Sequence, residues 1–257
     1  MTSSIRIIIP DNLTFRLNII CIKLEHESTP KNQYLASRPK LLFMSTNKTN
    51  PISFPIKLYG YMRTLEQEDY LIPKKRKQEL LEVSSYISLK IKDKKTPAII
   101  VICTHNSRRS HFGQLWLKVA AVYHGLSPLQ VFSGGTEATA FHPNAVAALH
   151  HVGFKIEKTT EEENPVYECE IGQEGKVLVM FSKRFDHENN AQKDFGALLV
   201  CTQADEACPV VTGADARFAI PYDDPKAFDD TEEMEEKYLD RCRQIAREMF
   251  YIIRHAQ

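Results

Sequence analysis

The sequence has little that would commit the protein to a membrane, to export or to nucleic acid. No apolar run approaches the ~18–20 residues of a membrane-spanning helix, and the short apolar run near the start is interrupted by Pro10. The 33 Lys and Arg residues balance the 33 Asp and Glu residues, so the net charge gives no general attraction to anionic polymers or surfaces. We therefore expect a soluble, cytoplasmic protein that binds neither membranes nor nucleic acid.

Cysteine is too scarce for a secreted disulfide scaffold of this length. In a reducing compartment, isolated cysteines are inert, metal-binding or catalytic. Hydrophobic residues make up 43% of the chain, which is enough for a core without covalent cross-links. Each of the six cysteines therefore needs its own interpretation, and they are Cys21, Cys103, Cys169, Cys201, Cys208 and Cys242.

Composition divides the chain into three parts. Residues 1–61 are rich in Asn, Thr, Ser and Pro, and their apolar residues keep no period, so we expect a poorly ordered N-terminal extension. Residues 62–95 form an N-terminal helix and linker, since apolar residues recur at helical spacing after Pro73. Residues 96–257 form the main domain. A translation start at Met62 is an equally good hypothesis for where the working protein begins.

The main domain alternates strand-like and helix-like segments. We predict strands at 98–102, 130–133, 176–181 and 197–201, helices at 109–124 and 143–151, and a long final helix with one apolar stripe. Such alternation is typical of parallel sheets covered by helices. The sequence thus predicts a three-layer α/β fold with a four- or five-stranded parallel sheet flanked by helices. Cys242 belongs to the apolar stripe and is best explained as a buried hydrophobic residue.

The segment 103–110 places a cysteine in the turn between the first predicted strand and the helix that follows. Backbone N–H groups of residues 104–109 can converge on one point in such a turn, and the helix start adds positive potential, which favours an anion and a thiolate. Arg109 offers a planar fork for two oxygens of a tetrahedral oxyanion. Ser110 can donate a hydrogen bond to the Cys103 sulfur, and Asn106 suits the turn. The alternative is a buried structural cysteine followed by surface arginines.

A second cysteine pair, Cys201 and Cys208, follows another predicted strand. The pair makes a poor metal site, because no Cys-x2-Cys spacing or nearby histidine supplies further ligands. Thiol exchange requires accessible thiolates that meet in sequence, and together with Cys103 the chain has three such candidates. Two unrelated cysteines remain the alternative.

Three segments resemble a known family. The segment Cys103–Ser110, CTHNSRRS, resembles the phosphate-binding loop of the low-molecular-weight protein tyrosine phosphatases and of the related thioredoxin-coupled arsenate reductases. The segment Ser133–Ala138, SGGTEA, with the later 144–146, is similar to the region after this loop in the reductases. The segment Tyr222–Lys226, YDDPK, looks like the Asp-Pro loop of both branches. The resemblance covers about residues 98–254 and implies a low-molecular-weight phosphatase-like fold.

The resemblance also implies roles for these residues. Cys103 would attack a tetrahedral oxyanion, Arg109 and the turn would stabilise the added charge, and Asp224 would protonate the departing oxygen. Pro225 favours extended geometry at Asp224, which can hold its carboxyl group toward that oxygen. The oxyanion-binding loop would consist of Thr104, His105, Asn106, Ser107, Arg108 and Ser110.

Two activities are compatible with these roles. In an arsenate reductase, Cys201 would attack the Cys103 sulfur, arsenite would leave, and Cys208 would move the disulfide to the 201–208 pair for reduction by thioredoxin or a similar dithiol. In a phosphatase, water would hydrolyse a phosphocysteine formed from a phosphomonoester. We favour the reductase because the cysteine spacing is the more restrictive feature. The substrate is accordingly a small oxyanion, arsenate or phosphate, or else a phosphomonoester.

Several departures from the family pattern qualify this expectation. Lys226 stands where the phosphatases usually have an aromatic residue that grips phosphotyrosine, which counts against a tyrosine-specific enzyme. His105 replaces the usual glycine, and Arg108 occupies a position that is often cysteine in the reductases; Arg108 can either recognise substrate or pair with a surface carboxylate. Gln114 replaces the glutamate of the cation-binding reductases, so we expect no bound metal or other resident cofactor. Residues 158–195 form an insertion that could serve as a lid or rim.

Overall fold

The computed structural model describes residues 54–126, 128–172, 176–207 and 210–256. The helices are α1 (Ile56–Leu65), α2 (Lys74–Lys92), α3 (Arg109–Tyr123), α4 (Pro143–His151), α5 (Thr202–Ala207) and α6 (Met234–Arg254). The strands are β1 (Ala98–Cys103), β2 (Gln130–Gly135), β3 (Ile156–Lys158), β4 (Tyr167–Glu170), β5 (Val177–Met180), β6 (Phe195–Leu199) and β7 (Ala214–Ala219). Two short 3₁₀ helices span Asp69–Leu71 and Pro225–Phe228. No helix in these ranges combines the length and the apolar character that crossing a bilayer requires.

A four-stranded parallel sheet in the order β2-β1-β6-β7 forms the centre of the fold. Every residue of β1 is buried, as expected for a central parallel strand with packed faces. Helices α3 and α2 pack on this sheet, and α6 packs on both helices. The prediction of a parallel sheet flanked by helices is thereby confirmed. Because the strands are parallel, β1 and β6 end at the same edge, and this edge carries Cys103 and Cys201.

One predicted strand is in a different sheet from the one we expected. The run 176–181 contains β5, which pairs antiparallel with β4 in a separate three-stranded sheet, β3-β4-β5. Its all-apolar sequence resembles a buried parallel strand, yet Val177 and Val179 are exposed, because they lie on the same face of that sheet as the exposed Glu168 and Glu170 of β4. The fourth parallel strand is instead β7. Its sequence is not an apolar run, because it contains Asp215 and Arg217.

The segment before the main domain packs on α6. Helix α2 coincides with the helix predicted after Pro73, and the Ser84 hydroxyl donates a 2.9 Å hydrogen bond to the Ile252 carbonyl of α6. Helix α1 crosses the boundary expected at Met62 and buries Leu58 on the other side of it. Residues 1–53, for which we expected poor order, lie outside the described residues.

Two of the cysteines are core residues. Cys242 lies within the buried stripe of α6, as predicted, and its sulfur accepts a 3.2 Å hydrogen bond from the Trp116 indole N–H. Burial raises the pKa of the Cys242 thiol to about 12. Cys169, in β4, is also buried, and burial raises its thiol pKa strongly. Both thiols are therefore protonated and poorly reactive at neutral pH.

Candidate active site

The candidate site is built on the turn between β1 and α3. Asn106 has a φ of 45°, a left-handed conformation that asparagine tolerates better than most residues. Its side-chain oxygen accepts a 2.8 Å hydrogen bond from the Lys183 backbone N–H, and its amide group donates at 2.8 Å to the Ser110 hydroxyl. Asn106 thus fixes the turn to both the start of α3 and the segment that follows β5.

The Cys103 sulfur lies 3.1 Å from the Ser110 hydroxyl. A serine hydroxyl has one proton to donate and can accept two hydrogen bonds. Since the Ser110 oxygen already accepts from Asn106, its proton is free to point at the sulfur. This arrangement leaves the Ser110 hydroxyl able to donate to the Cys103 sulfur. The role predicted for Ser110, stabilising a thiolate, stays a prediction.

The turn also leaves backbone donors free. Among the described residues, no acceptor receives a hydrogen bond from the backbone N–H groups of residues 104–108. Free N–H groups in a turn at the start of a helix form an anion-binding concavity. The geometry of the turn therefore suits an oxyanion placed beside the Cys103 sulfur.

Arg109 connects the turn to the Asp-Pro segment. Its Nη2 donates to the Asp224 carboxylate at 2.6 Å, and its Nη1 donates to the Tyr222 carbonyl at 2.8 Å. Its Nε is buried and has no partner within the described ranges. One donor of the fork is thus without a partner, while Asp224 accepts from another and would have to leave before an oxyanion could bind that donor.

An open cavity of about 440 Å³ lies over this arrangement. Residues from the turn, from α5 and from the Asp-Pro segment line it, so three separate parts of the chain meet there. The residues lining it are Thr104, His105, Arg109, Gln203, Asp224, Lys226 and Ala227.

Cys201 lies beside the turn, two residues after the end of β6. Its sulfur is 3.4 Å from the Thr104 hydroxyl and accepts a 3.4 Å hydrogen bond from the Ala204 backbone N–H. The thiol is buried in this state. Cys208, the second member of the predicted pair, lies outside the described residues.

Two of the predicted loop side chains point away from the cavity. The Ser107 hydroxyl donates to the Ala140 carbonyl at 2.7 Å. The Arg108 guanidinium donates to the Tyr238 hydroxyl at 2.6 Å and to the Asp229 carboxylate at 2.8 Å, and its side chain is 9% exposed. Of the two possibilities left open for Arg108, the structure thus favours pairing with a carboxylate over direct contact with a ligand.

His105, which stands where the family usually has glycine, lines the cavity. Its side chain is 42% exposed, and its Nε2 lies 3.8 Å from a Glu137 carboxylate oxygen. Its carbonyl accepts hydrogen bonds from the Thr139 and Ser182 hydroxyls, at 3.1 and 3.0 Å. The imidazole therefore lies at the rim of the cavity. The His105 backbone is held by Thr139 and by Ser182 of the insertion.

Gly135 of the SGGTEA segment allows a close approach to the turn. A Cβ atom on Gly135 would lie 2.6 Å from the Thr104 carbonyl oxygen and 2.8 Å from the Asn106 nitrogen. Real Cβ atoms do not approach backbone this closely, so a side chain here would displace the turn.

The insertion supplies contacts that the sequence did not reveal. Lys183 is 4% exposed, its ammonium group lies 4.6 Å from the Phe181 ring centroid, and burial lowers its pKa to about 8. Behind the turn, burial, with a further contribution from Lys183, lowers the pKa of His111 to about 3. His111 is therefore neutral at pH 7 and stacks on Phe141 at 4.0 Å. Part of the insertion, which we predicted as a lid or rim, thus packs against the turn on the side away from the cavity.

The Asp-Pro segment is supported by contacts from α2 and α6, which no sequence pattern connects with it. The Tyr222 hydroxyl donates to the Glu248 carboxylate at 2.9 Å, and Arg76 of α2 donates to the Pro221 carbonyl at 2.8 Å. Arg76 also lies 3.6 Å from Glu248. Burial raises the pKa of Glu248, against the opposing effect of Arg76. Amphipathic patterning identifies α2 and α6 as helices but not these polar contacts.

No set of three or more His, Cys, Asp or Glu side chains in the described ranges is placed to hold a metal ion.

The chain is similar to curated arsenate reductases, while no family model matches it. It is 30% identical to the arsenate reductase of Brevibacillus brevis over 135 residues, which are 52% of this chain and 80% of that protein. It is 30% identical over 133 residues to arsenate reductase 2 of Staphylococcus epidermidis, and 28% identical over 145 residues to the enzyme of Bacillus subtilis. These matches span 52% and 56% of this chain, and 80% and 86% of the two relatives.

The chain is also similar in structure to two solved proteins. One is a low-molecular-weight protein tyrosine phosphatase from T. tengcongensis, with a TM-score of 0.43, 16% identity and coverage of 62% of this chain and 98% of that one. The other is an arsenate reductase in the phosphate binding state, with a TM-score of 0.38, 18% identity and coverage of 63% of this chain and 99% of that one. The family assignment depends on the sequence relatives. At 30% identity to relatives of which it covers four fifths, the chain belongs to the arsenate reductase family.

Proposed function

We propose that the protein is a thiol-dependent arsenate reductase whose reaction begins at Cys103. The observation that supports this most directly is the position of Cys103 and Cys201 at the same edge of neighbouring parallel strands, with Thr104 in contact with the second sulfur. Two thiols so placed can react in succession, the first with arsenic and the second with the sulfur of the first. The name shared by the sequence relatives points to the same substrate.

The first step is capture of the oxyanion. The free N–H groups of the turn and the Nε of Arg109 offer donors to arsenate oxygens, in the planar arrangement that guanidinium groups give to tetrahedral anions. As the anion approaches Nη2 it displaces the Asp224 carboxylate, which accepts from that nitrogen in the free protein. Binding therefore releases the candidate acid at the moment when it is needed.

The second step forms a covalent arsenic–sulfur bond. The Cys103 thiolate attacks arsenic, and one arsenic–oxygen bond breaks with its electron pair remaining on oxygen. Asp224, which takes up a proton from water once the oxyanion has displaced it from Arg109, passes that proton to the departing oxygen. The Ser110 hydroxyl stabilises the thiolate before attack. Arg109 and the turn amides stabilise the charge that develops on the remaining oxygens.

The third step is the reduction itself. The Cys201 thiolate attacks the Cys103 sulfur, a disulfide forms between them, and the electron pair of the sulfur–arsenic bond stays on arsenic. Arsenic(V) becomes arsenic(III), and two thiols are oxidised to one disulfide, so the electrons balance. Cys208 then attacks Cys201 and frees Cys103, and thioredoxin or a similar dithiol protein reduces the 201–208 disulfide.

The test is arsenate-dependent NADPH consumption with thioredoxin and thioredoxin reductase. We expect turnover in the wild type and none in Cys103→Ser or Cys201→Ser, because each variant interrupts a different step. Cys242→Ala is the matched control, since that cysteine is buried in α6 away from the site. Absence of arsenate turnover in the wild type, or full turnover in Cys201→Ser, would refute the reductase.

Hydrolysis of a phosphomonoester is the second candidate, and the cavity favours it. A volume of about 440 Å³ exceeds the need of an inorganic oxyanion and lies within the ~300–1,000 Å³ typical of sites for organic ligands. Lys226 at the rim would favour an ester whose organic part carries negative charge. Hydrolysis of para-nitrophenyl phosphate that is equal in wild type and Cys201→Ser, without arsenate turnover, would select this activity.

A further inference from the structure

The two consecutive arginines at the start of α3 contact opposite ends of one segment. We define the acid loop as residues Tyr222–Asp229. Arg109 contacts its first end, through Tyr222 and Asp224, at 2.8 and 2.6 Å. Arg108 contacts its last end, through the Asp229 carboxylate, at 2.8 Å.

The two contacts differ in their access to a ligand. Arg109 lines the cavity, so an oxyanion competes with Asp224 for its guanidinium. Arg108 does not line the cavity, and its guanidinium lies between Tyr238 and Asp229. No ligand bound beside Cys103 would reach the second contact.

The contact at Asp229 is part of a closed set of hydrogen bonds. The Tyr238 hydroxyl accepts from the Arg108 Nε at 2.6 Å and donates to an Asp229 oxygen at 2.6 Å. The Asn144 side-chain amide donates to the same carboxylate at 3.3 Å. Burial opposes ionisation of Asp229, but the bond from Tyr238 and the charge of Arg108 outweigh it and lower its pKa. Asp229 is thus a charged, multiply bonded end point for the loop.

A short 3₁₀ helix transmits this restraint to Asp224. The helix spans Pro225–Phe228, so Asp224 directly precedes it and Asp229 directly follows it. The Asp224 carboxylate accepts a 3.1 Å hydrogen bond from the Lys226 backbone N–H, and the Asp229 backbone N–H donates a 3.0 Å hydrogen bond to the Lys226 carbonyl. Fixing Asp229 therefore limits how far Asp224 can move.

We propose that Arg108 is a positioning residue that keeps Asp224 beside the site after an oxyanion has taken over Arg109. The inference rests on the proposed function in one respect, namely that Asp224 acts as the proton donor. It also accounts for an arginine at a turn position where the family resemblance favours cysteine. A lysine would not replace it, because a single ammonium group lacks the planar fork that bonds Tyr238 and Asp229 together.

Hydrogen exchange of the acid loop tests the restraint without any ligand or activity. The variants are Arg109→Met, Arg108→Gln and the double variant, and peptides covering 222–229 are followed by mass spectrometry. We expect near wild-type protection in Arg109→Met, because Arg108 still holds the loop, and at least tenfold faster exchange in the double variant. Equal protection in Arg109→Met and the double variant would overturn the proposal.

Steady-state kinetics then tests the positioning role. In Arg108→Gln we expect kcat for arsenate reduction to fall about 10–100-fold with KM changed less than threefold, since general acids contribute ~10²–10⁴-fold. Arg241→Gln is the control, because it removes a 3.2 Å ion pair to the neighbouring, exposed Asp223 and should leave kcat unchanged. Asp229→Asn, a nearly isosteric change, should lower kcat as Arg108→Gln does.

The outcomes of the two experiments are separable. If the wild type reduces no arsenate, the proposed function fails, and hydrogen exchange alone decides whether Arg108 restrains the loop. If Arg108→Gln unfolds, Asp229→Asn provides the same comparison in a folded protein. A kcat equal to wild type in both variants would overturn the positioning role even if the loop becomes mobile.

Discussion

The Cys103 turn and the acid loop meet at one cavity but are stabilised in different ways. The hydrogen bonds around the Cys103 sulfur come from within the turn, since Ser110 contacts the sulfur and Asn106 donates to Ser110, although later segments also hold the backbone of the turn. The acid loop depends on side chains far along the chain, in α2, α3 and α6. The candidate nucleophile thus has its hydrogen-bond partner within a local motif, whereas the candidate acid is placed by contacts from several distant helices. The following changes test that contrast, from the largest expected effect to the smallest.

Loss of the nucleophile should separate chemistry from binding in the turn. Cys103→Ser should lower kcat by ~10⁴-fold or more, because a hydroxyl in this position lacks the reactivity of a thiolate. Binding of inorganic phosphate, measured by titration calorimetry, should change little, since Arg109 and the turn amides remain. Loss of phosphate binding in this variant would place the anion somewhere other than beside Cys103.

Asn106 should be the most sensitive structural residue of the turn. Asn106→Ala should lower the free energy of unfolding by about 2–4 kcal/mol, because alanine disfavours a φ of 45° and leaves the Lys183 N–H without its acceptor. Urea unfolding measures the change. Asn106→Gly, which relieves the conformational cost but not the lost hydrogen bonds, should recover only part of the stability. Full recovery by glycine would mean that the side-chain bonds contribute nothing.

Substitution of Arg76 tests whether α2, which precedes the main domain, positions the acid loop. Arg76→Met removes the bond to the Pro221 carbonyl and the partner of Glu248. We expect a loss of about 1–2 kcal/mol in the free energy of unfolding and a roughly tenfold lower kcat from misplacement of Asp224. Lys75→Met is the control, because Lys75 is 90% exposed on the same helix. Equal kcat in both variants would show that α2 does not position the loop.

Glu248 should give the smallest effect, visible only as a pH dependence. Its pKa is raised above 4.5 in the folded protein, so its contribution to stability is full below pH 4.5 and decreases as pH rises through the folded value. Glu248→Gln keeps an acceptor for Tyr222 and removes this loss. The free energy of unfolding of the variant should therefore fall less steeply than that of the wild type between pH 4.5 and neutral. An identical slope would contradict the raised pKa.

The same contrast explains how much the sequence could reveal. The turn was predictable because strand, cysteine, arginine and helix follow one another within a few residues, and the local pattern determines their geometry. The meeting of Arg109 with Asp224, 115 residues apart, was expected only from family resemblance, and the structure brings them to 2.6 Å. The assignment of chemical roles to these residues remains a prediction.

Other features could not be read from the sequence for physical reasons. An apolar run such as β5 does not state which sheet it will join, since both arrangements bury part of it. Strand β7 carries charged residues because it lies at a sheet edge, so the apolar pattern is diluted. The partners of Arg108 and Arg76 are contributed by tertiary packing, and no local spacing encodes them.

The placement of Cys103 and Cys201 on neighbouring strands has a further consequence for the proposed cycle. A disulfide between them would close a loop of roughly 100 residues, for which chain-entropy arguments give a stabilisation of about 4–5 kcal/mol against unfolding. Transfer of that bond to Cys201 and Cys208 would close a loop of only a few residues and forfeit much of this gain. Under this mechanism, the resistance of the protein to denaturation would rise and fall within each turnover, highest in the intermediate that has just released its product.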